Sequence, residues 1–285
     1  MSKNSMMLTV CALGFVLLFS TIGLSKTLIF SNNTDSIQKF EIGVSTAPKT
    51  LLSGLEKPCG LAWDSARSTL YFDEYAGGSL GQVKLDGSGQ SDLSQALSSP
   101  SGLAILTTGD INEICWAEQI KFRIRCMTLN TKTGASSIST IITKTVMPVG
   151  VAIDESTDKI YWAEGQVKNG AIMRANMDGT EIEVVAAGLK NPQGVAVSDG
   201  VVYWAETMAG TIRYISTDNL DDAPSTLIQG LSKPIGVFVD ADSHTLYFSE
   251  TGAKRIQYVD LNVGSSSVKT LLSGLEAPTY LLLVN

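Results

Sequence analysis

The sequence predicts an all-β chain that folds as a six-bladed β-propeller of four-stranded antiparallel blades. A Pro-x-Gly step followed by an alternating apolar run recurs with a period of 42 to 48 residues. A second marker, an apolar and aromatic run that ends on a small residue and an acid, keeps the same period. The first and last repeat units are incomplete in complementary ways. Periods of this length are typical of propellers and solenoids.

Each marker occurs in six copies, which chance does not produce. The first marker begins at Pro58, Pro100, Pro148, Pro192, Pro234 and, in a degenerate copy, Pro278. The second marker spans Leu28–Asn32, Leu70–Glu74, Ile114–Glu118, Ile160–Glu164, Val202–Glu206 and Leu246–Glu250.

Four short β-rich runs make up one repeat unit. In the fourth full unit we predict strands at Gly194–Val197, Val201–Ala205, Thr211–Ile215 and Ser225–Ile228, with turn-forming residues between them. Alternating apolar residues give each strand a face that must be covered, and one small sheet cannot cover both of its faces. Six blades stacked around an axis solve this problem.

The two ends of the chain predict how the ring closes. The last unit stops after one strand, Tyr280 to Val284, and the first begins at its second strand, Leu28 to Phe30. We therefore expect the C-terminal strand to complete the N-terminal blade. Closure of this kind removes the free sheet edges that would invite aggregation.

Residues 1–25 read as a secretory signal peptide that precedes a propeller of residues 26–285. Lys3 supplies a basic start, Met6 to Leu24 are almost wholly apolar, and small residues at Gly23 and Ser25 suit cleavage before Lys26. An uncleaved membrane anchor is the alternative, because the apolar run could just span a bilayer. The leader predicts a secreted, extracellular protein that is not inserted in a membrane after cleavage.

The charge of the chain disfavours two classes of partner. The formal net charge is −7, and no cluster of Lys and Arg appears. Nucleic acids and anionic membranes both require such clusters. On composition alone, basic or neutral partners are expected.

Three cysteines follow the predicted leader. Cys115 and Cys126 fall on the second and third strands of one blade, and their midpoint coincides with the expected turn. Opposed positions across an antiparallel pair are close enough for a disulfide. Cys59 would then be free, or available to link two otherwise monomeric chains. Asn32 begins the glycosylation sequon Asn32-Asn33-Thr34.

The second marker resembles the repeat of the low-density lipoprotein receptor class B, or YWTD, propeller family. Its Tyr-Trp-Thr-Asp motif is matched at Tyr161–Glu164 and Tyr203–Glu206 and more weakly at Tyr247–Glu250, with Thr replaced by Ala or Ser and Asp by Glu. The aspartate that precedes the motif in this family is matched at Asp64, Asp154 and Asp240. The family's Ile-x-Arg…Asp-Gly run is matched by Ile172–Arg174 and Asp178-Gly179. The resemblance covers residues 27 to 285 and implies protein ligands, which could be developmental signals, endocytic cargo or matrix proteins.

We predict no catalytic residues, no cofactor and no metal. His244 is the only histidine, which excludes a zinc site with several imidazole ligands. No Ser-His-Asp set or glycine-rich phosphate loop appears. A calcium-dependent lactonase-like hydrolase stays open as an alternative, because calcium needs only oxygen ligands.

Five glutamates end the second strands of five blades and form what we call the acidic collar: Glu74, Glu118, Glu164, Glu206 and Glu250, with Asn32 in the sixth place. The collar could attract a cationic peptide or a metal ion. Alternatively, each carboxylate could bind a neighbouring backbone amide. The sixfold repetition favours this structural role, because ligand sites are seldom sixfold symmetric.

The aromatic residues of the second marker recur in every blade, which favours packing between blades. Trp63, which has no such repeats, could face either a blade interface or the central channel. Ligand contacts are expected instead in the variable loops, at Tyr75, Lys121, Lys168, Met208 and Lys254. The predicted function is a non-catalytic module that binds a protein ligand through its loop-rich face, with a structural extracellular-matrix component as a further alternative.

Overall fold

A computed structural model describes residues 25–285, which form six four-stranded antiparallel sheets. The predicted all-β propeller is confirmed. The leader and its anchor alternative fall on residues 1–24, outside the described part of the chain. Across residues 25–285, no helix has the length and apolar character needed to cross a membrane.

The sheets are numbered here as blades 1 to 6 in chain order. Blade 1 contains β24 (Pro278–Val284), β1 (Thr27–Asn32), β2 (Ser36–Glu41) and β3 (Lys49–Leu52). Blade 2 contains β4 (Pro58–Asp64), β5 (Thr69–Glu74), β6 (Ser79–Lys84) and β7 (Ser91–Ser94). Blade 3 contains β8 (Pro100–Thr108), β9 (Ile111–Glu118), β10 (Arg123–Asn130) and β11 (Ser136–Ile142).

Blade 4 contains β12 (Pro148–Asp154), β13 (Lys159–Glu164), β14 (Gly170–Asn176) and β15 (Glu183–Leu189). Blade 5 contains β16 (Pro192–Ser198), β17 (Val201–Glu206), β18 (Thr211–Ser216) and β19 (Ser225–Gln229). Blade 6 contains β20 (Pro234–Asp240), β21 (Thr245–Glu250), β22 (Arg255–Asp260) and β23 (Lys269–Ser273), with a 3-10 turn at Ser265–Ser267 before β23.

Blade 1 combines strands from the two ends of the chain, as the incomplete terminal units predict. β24 pairs antiparallel with β1, with Leu28 opposite Leu283 and Phe30 opposite Leu281. The inner strand of the first blade is therefore the last strand of the protein. This pairing holds the ring closed.

The repeated aromatic residues lie between blades, which confirms their predicted packing role. Trp116, Trp162 and Trp204 are fully buried. Trp204 of blade 5 shares an apolar cluster with Tyr161 of blade 4, and Trp116 shares one with Tyr71 of blade 2. Each sheet thus covers the apolar face of the next, and no blade has a core of its own.

The Pro-x-Gly step brings the inner strands of adjacent blades close together. A Cβ on Gly150 would lie 2.2 Å from the Gln193 carbonyl oxygen, and one on Gly194 would lie 2.4 Å from that of Ile235. Any larger residue would push neighbouring blades apart. In the sixth, degenerate copy of this step, Tyr280 stands in place of the glycine.

Cys115 and Cys126 form the predicted disulfide. They lie opposite each other on β9 and β10, with their Cα atoms 4.0 Å apart. The bridge is confined to blade 3 and links two strands that already pair.

Removal of Tyr280–Asn285 is expected to open the ring, because β1 would lose its partner strand and Leu28 would lose its cover. We expect a large drop in the melting temperature and a broadened unfolding transition, measured by circular dichroism. Removal of Asn285 alone is the control and should leave the transition unchanged. A truncated chain as stable as the full chain would contradict the closure.

Candidate binding face

One face of the ring collects two kinds of loop. The residue that begins each inner strand lies opposite the end of the second strand, as in the pairs Pro58–Glu74, Pro148–Glu164 and Pro234–Glu250. The loops that lead into the inner strands therefore meet the loops between second and third strands. We call this surface the loop-rich face.

The carboxylates of the acidic collar accept hydrogen bonds from the loops beside them. In four blades the donor is a backbone amide of the loop that enters the same blade. The bonds are Glu56 N to Glu74 (2.6 Å), Val146 N to Glu164 (3.1 Å), Lys190 N to Glu206 (2.9 Å) and Ser232 N to Glu250 (2.7 Å). Each carboxylate thus ties down a loop that connects two blades.

Arginines of the third strands neutralise the most buried collar residues. Glu118 is fully buried and accepts hydrogen bonds from Arg123 at 2.6 and 2.8 Å and from Arg125 at 3.1 Å. Arg213 and Arg255 contact Glu206 and Glu250 in the same way. Buried charges are tolerated when they are paired. The carboxylates of Glu118, Glu206 and Glu250 are therefore directed into the protein, away from the solvent where a cationic ligand would approach, whereas Glu74 and Glu164 are partly buried.

Asn32, in the sixth collar place, is only 2% exposed. Its Nδ2 donates to Ser36 Oγ at 3.4 Å within blade 1. A glycan on this nitrogen would have to displace the buried side chain from the blade, and glycosylation at the sequon stays a prediction.

The predicted contact residues are spread over several blades. Lys121, Lys168 and Met208 are exposed on the loops of blades 3, 4 and 5, and Lys254 is exposed on blade 6. Tyr75 on blade 2 is half-buried, and its hydroxyl donates to Gln119 Oε1 at 2.7 Å. This tyrosine therefore joins two loops of adjacent blades.

Exposed apolar side chains on the loop-rich face were not among the predicted contacts, apart from Met208. Among the described residues, six large apolar side chains on this face are 39% to 61% exposed. We call them the apolar patch: Ile120, Phe122, Val146, Met147, Val167 and Met208. All six belong to loops of blades 3, 4 and 5. One feature of the sequence could have predicted the apolar patch, namely large apolar residues in predicted loops, where polar residues are usual.

The central channel contains a cavity of about 340 Å³ with apolar walls. Trp63 lines it together with residues such as Leu103, Ile153 and Phe238, and it also packs against the apolar cluster between blades 1 and 2, so it takes part in both environments that the sequence left open. Within residues 25–285, no side chain that lines this cavity carries a carboxylate. The carboxylate ligands that calcium sites commonly use are therefore not among the described side chains on its walls.

Asp73 is a fully buried carboxyl on β5, in blade 2. Its Oδ1 accepts the N–H of Gly60 at 3.1 Å, and its Oδ2 has no hydrogen-bond partner among the described residues. Burial, with a smaller contribution from the nearby Glu74 carboxylate, raises the pKa of Asp73 to about 8 against the opposing effect of hydrogen bonds from the Gly60 and Cys59 backbone. The neutral, protonated carboxyl therefore predominates at pH 7.

The other blades show what a protonated carboxyl can do at this position. In blade 6 the equivalent residue is Ser249, which accepts the N–H of Gly236 at 2.9 Å and donates to the Thr279 carbonyl of the next blade at 2.5 Å. Only a proton on its carboxyl lets Asp73 donate as well as accept. In blade 2 the Asp73 Oδ2 has no acceptor within hydrogen-bonding distance among the described residues.

Two further titratable groups face Asp73. Burial raises the pKa of the Cys59 thiol on β4, and Asp73 raises it further. Burial also raises the pKa of the Tyr280 phenol on β24, with added effects of Cys59 and Asp73. Both groups are neutral at pH 7. A partly buried, protonated thiol is a poor nucleophile, which disfavours the covalent dimer through Cys59.

Stability should fall as the pH rises because of Asp73. The unfolded chain releases this proton near the ordinary pKa of 3.8, whereas the folded chain keeps it to about pH 8. Between these values the native state binds more protons, so unfolding becomes easier by up to about 1.4 kcal/mol per pH unit. Asp73→Asn keeps the shape and the donor and should remove this slope.

The measurement is the melting temperature of both proteins between about pH 5 and about pH 9. We expect Asp73→Asn to be the more stable protein at the alkaline end. Asp178→Asn, at an exposed turn where Thr180 lowers the pKa, is the matched control and should leave the slope unchanged. Parallel curves for the native and Asp73→Asn proteins would show that Asp73 is ionised in the fold.

Glu164→Ala should destabilise the protein. It leaves the Val146 amide and the Thr145 hydroxyl without their acceptor, at a cost of about 1–3 kcal/mol. Glu155→Ala, at an exposed turn of the same blade, should change the free energy of unfolding by less than about 0.5 kcal/mol. Denaturant titration measures both. An unchanged midpoint in Glu164→Ala would assign the collar to ligand binding.

Curated relatives match parts of this chain. No family model matches the sequence. Protein cueball of Drosophila grimshawi is 33% identical over 64 residues, which is 22% of this chain and 11% of that protein. Vitellogenin receptor Yl of Drosophila melanogaster is 28% identical over 178 residues, which is 61% of this chain and 9% of the receptor. The matches thus span only about a tenth of these two relatives.

Solved structures match nearly the whole described chain. A chain of the nidogen/laminin complex superposes with a TM-score of 0.79 at 19% identity, covering 91% of this chain and 98% of that one. A gluconolactonase from Xanthomonas campestris superposes with a TM-score of 0.67 at 15% identity, covering 88% and 84%. The six closed blades and these likenesses show a six-bladed β-propeller, and the motif copies resemble the repeats of the low-density lipoprotein receptor class B (YWTD) propellers.

Proposed function

We propose that this protein is a secreted, non-catalytic module that binds a protein ligand through its loop-rich face. The observation that carries the proposal is the apolar patch. Its six side chains lie on one face and within three consecutive blades. The other large exposed apolar residues, such as Val44, Ile182 and Val263, lie away from this face.

An apolar patch of this kind has a physical reason to be covered. Burying a large apolar side chain contributes about 1.5–3 kcal/mol relative to leaving it in water. Contiguous exposed apolar surface on a soluble protein is typical of interaction sites. Glu164 holds the loop with Val146, and backbone hydrogen bonds such as Gly165 N to the Met147 carbonyl and Met208 N to the Lys190 carbonyl tie further patch loops to their neighbours, so little order has to be gained on binding.

The alternatives differ in what they predict. A structural role in an extracellular matrix would use the same face with a matrix partner, and at 19% identity the likeness to a chain of the nidogen/laminin complex concerns the fold alone. The calcium-dependent hydrolase has less support, since the channel cavity has apolar walls. At 15% identity, the likeness to the gluconolactonase concerns the fold alone.

The test uses immobilised protein to capture ligands from extracellular fluid and from matrix extracts. The patch variant combines Ile120→Ser, Val167→Ser and Met208→Ser. The control variant combines Val44→Ser and Val263→Ser, which remove exposed apolar side chains elsewhere. We expect a protein that is retained by the native and control chains, is lost from the patch variant and binds directly when purified.

Equal retention by the patch variant and the native protein would contradict a role of this face. Hydrolysis of a lactone by the native chain, abolished by chelation of calcium, would contradict the non-catalytic assignment. Retention from matrix extracts alone would select the matrix role.

A further inference from the structure

The loops of the loop-rich face differ in charge between the two halves of the ring. From blade 3 to the entry of blade 6, these loops carry five exposed lysines, which we call the basic rim: Lys121, Lys144, Lys168, Lys190 and Lys233. The same loops, within residues 119–122, 143–147, 165–169, 190–191, 207–210 and 230–233, contain no Asp or Glu. The apolar patch lies on these loops.

The carboxylates nearest to the basic rim are already engaged. Glu118 and Glu206 are buried against arginines, and Glu164 accepts its bonds from Thr145 and Val146. None of the five lysines forms a salt bridge with another residue of the described chain. This half of the face therefore presents uncompensated positive charge around apolar side chains.

The other half of the same face is mixed in sign. Its loops carry Asp35, Glu56 and Glu276 together with Lys57 and Lys254, and all five are exposed. The whole chain is acidic, with a formal net charge of −7. Salt screens charges beyond about 8 Å at physiological ionic strength. A partner that contacts blades 3 to 5 therefore interacts more strongly with the positive charge of the basic rim than with the net negative charge of the whole chain.

We infer that the ligand is a protein with an acidic segment that contains large apolar side chains, and that it docks on blades 3 to 5. This inference rests on the proposed function and adds the chemistry of the partner. Apolar side chains of the segment would cover the patch, and its carboxylates would meet the lysines at the edge. Charge complementarity of this kind sets specificity and association rate more than affinity. It replaces the expectation of a basic or neutral partner drawn from the composition.

A membrane or a nucleic acid fits this face less well. A flat anionic membrane would contact the entire face and would bring Asp35, Glu56 and Glu276 against its own negative charge. A protein segment can cover one half and leave the other in water. Nucleic acid binding also depends on many phosphate contacts, often with arginine, and the basic rim contains lysine only.

The experiment selects binders from a displayed library of random peptides on the immobilised full chain. We expect the enriched peptides to be acidic and to contain several large apolar residues. Lys121→Glu with Lys168→Glu should weaken them at least about tenfold, which is about 1.4 kcal/mol. The matched control, Lys49→Glu with Lys269→Glu on outer strands, should bind them as the native chain does. The native affinity should fall as salt is added.

Other outcomes separate this inference from the proposed function. Enriched peptides that are neutral or basic, yet are lost from the patch variant, would overturn the acidic partner and leave the proposed function standing. Peptides that bind the patch variant and the lysine variant as well as they bind the native chain would overturn both the acidic partner and the proposed function. Binding to phosphatidylserine vesicles or to duplex DNA that depends on the basic rim, without enrichment of acidic peptides, would overturn a protein partner.

Discussion

The close packing of six inner strands around one axis is the constraint on which the rest of the structure depends. No blade can bury both of its faces alone, and each relies on the next for its apolar cover. The approach is so tight that a Cβ on Gly150 would collide with the Gln193 carbonyl. Because the last strand, β24, completes the first blade, the ring is closed and every blade depends on its neighbours for apolar cover.

Tight packing at the axis also explains the polar groups found there. Asp73 occupies a position where Ser249 both accepts and donates a hydrogen bond between blades. Burial of the Asp73 carboxyl disfavours its charged form and raises its pKa, so the carboxyl keeps its proton. The acidic collar solves a different problem, because two arginines donate hydrogen bonds to the buried carboxylate of Glu118. Burial and partners, not residue type, thus distinguish the environment of Asp73 from that of Glu118.

The same collar connects architecture with binding. Its carboxylates hold the loops that enter each blade, so the loop-rich face is a fixed surface on which loop side chains are displayed. Residues such as Phe122 and Val167 stay exposed because the apolar spaces between blades are already filled by repeated aromatic residues. The six blades have the same arrangement of strands. The two halves of the loop-rich face therefore differ in the side chains of their loops.

The sequence by itself determined the blade number, the closure of the ring, the packing role of the aromatics and the Cys115–Cys126 bridge. These features follow from the repeat period of the sequence and from the alternation of apolar residues along each strand. Both can be found in the sequence without knowing which blades are in contact. The orientation of Trp63, the burial of Asn32 and Asp73, and the grouping of Ile120, Val146 and Met208 on one face emerged only from the tertiary structure. Each depends on residues far apart in the chain, because burial and surface charge are set by what the other blades place nearby.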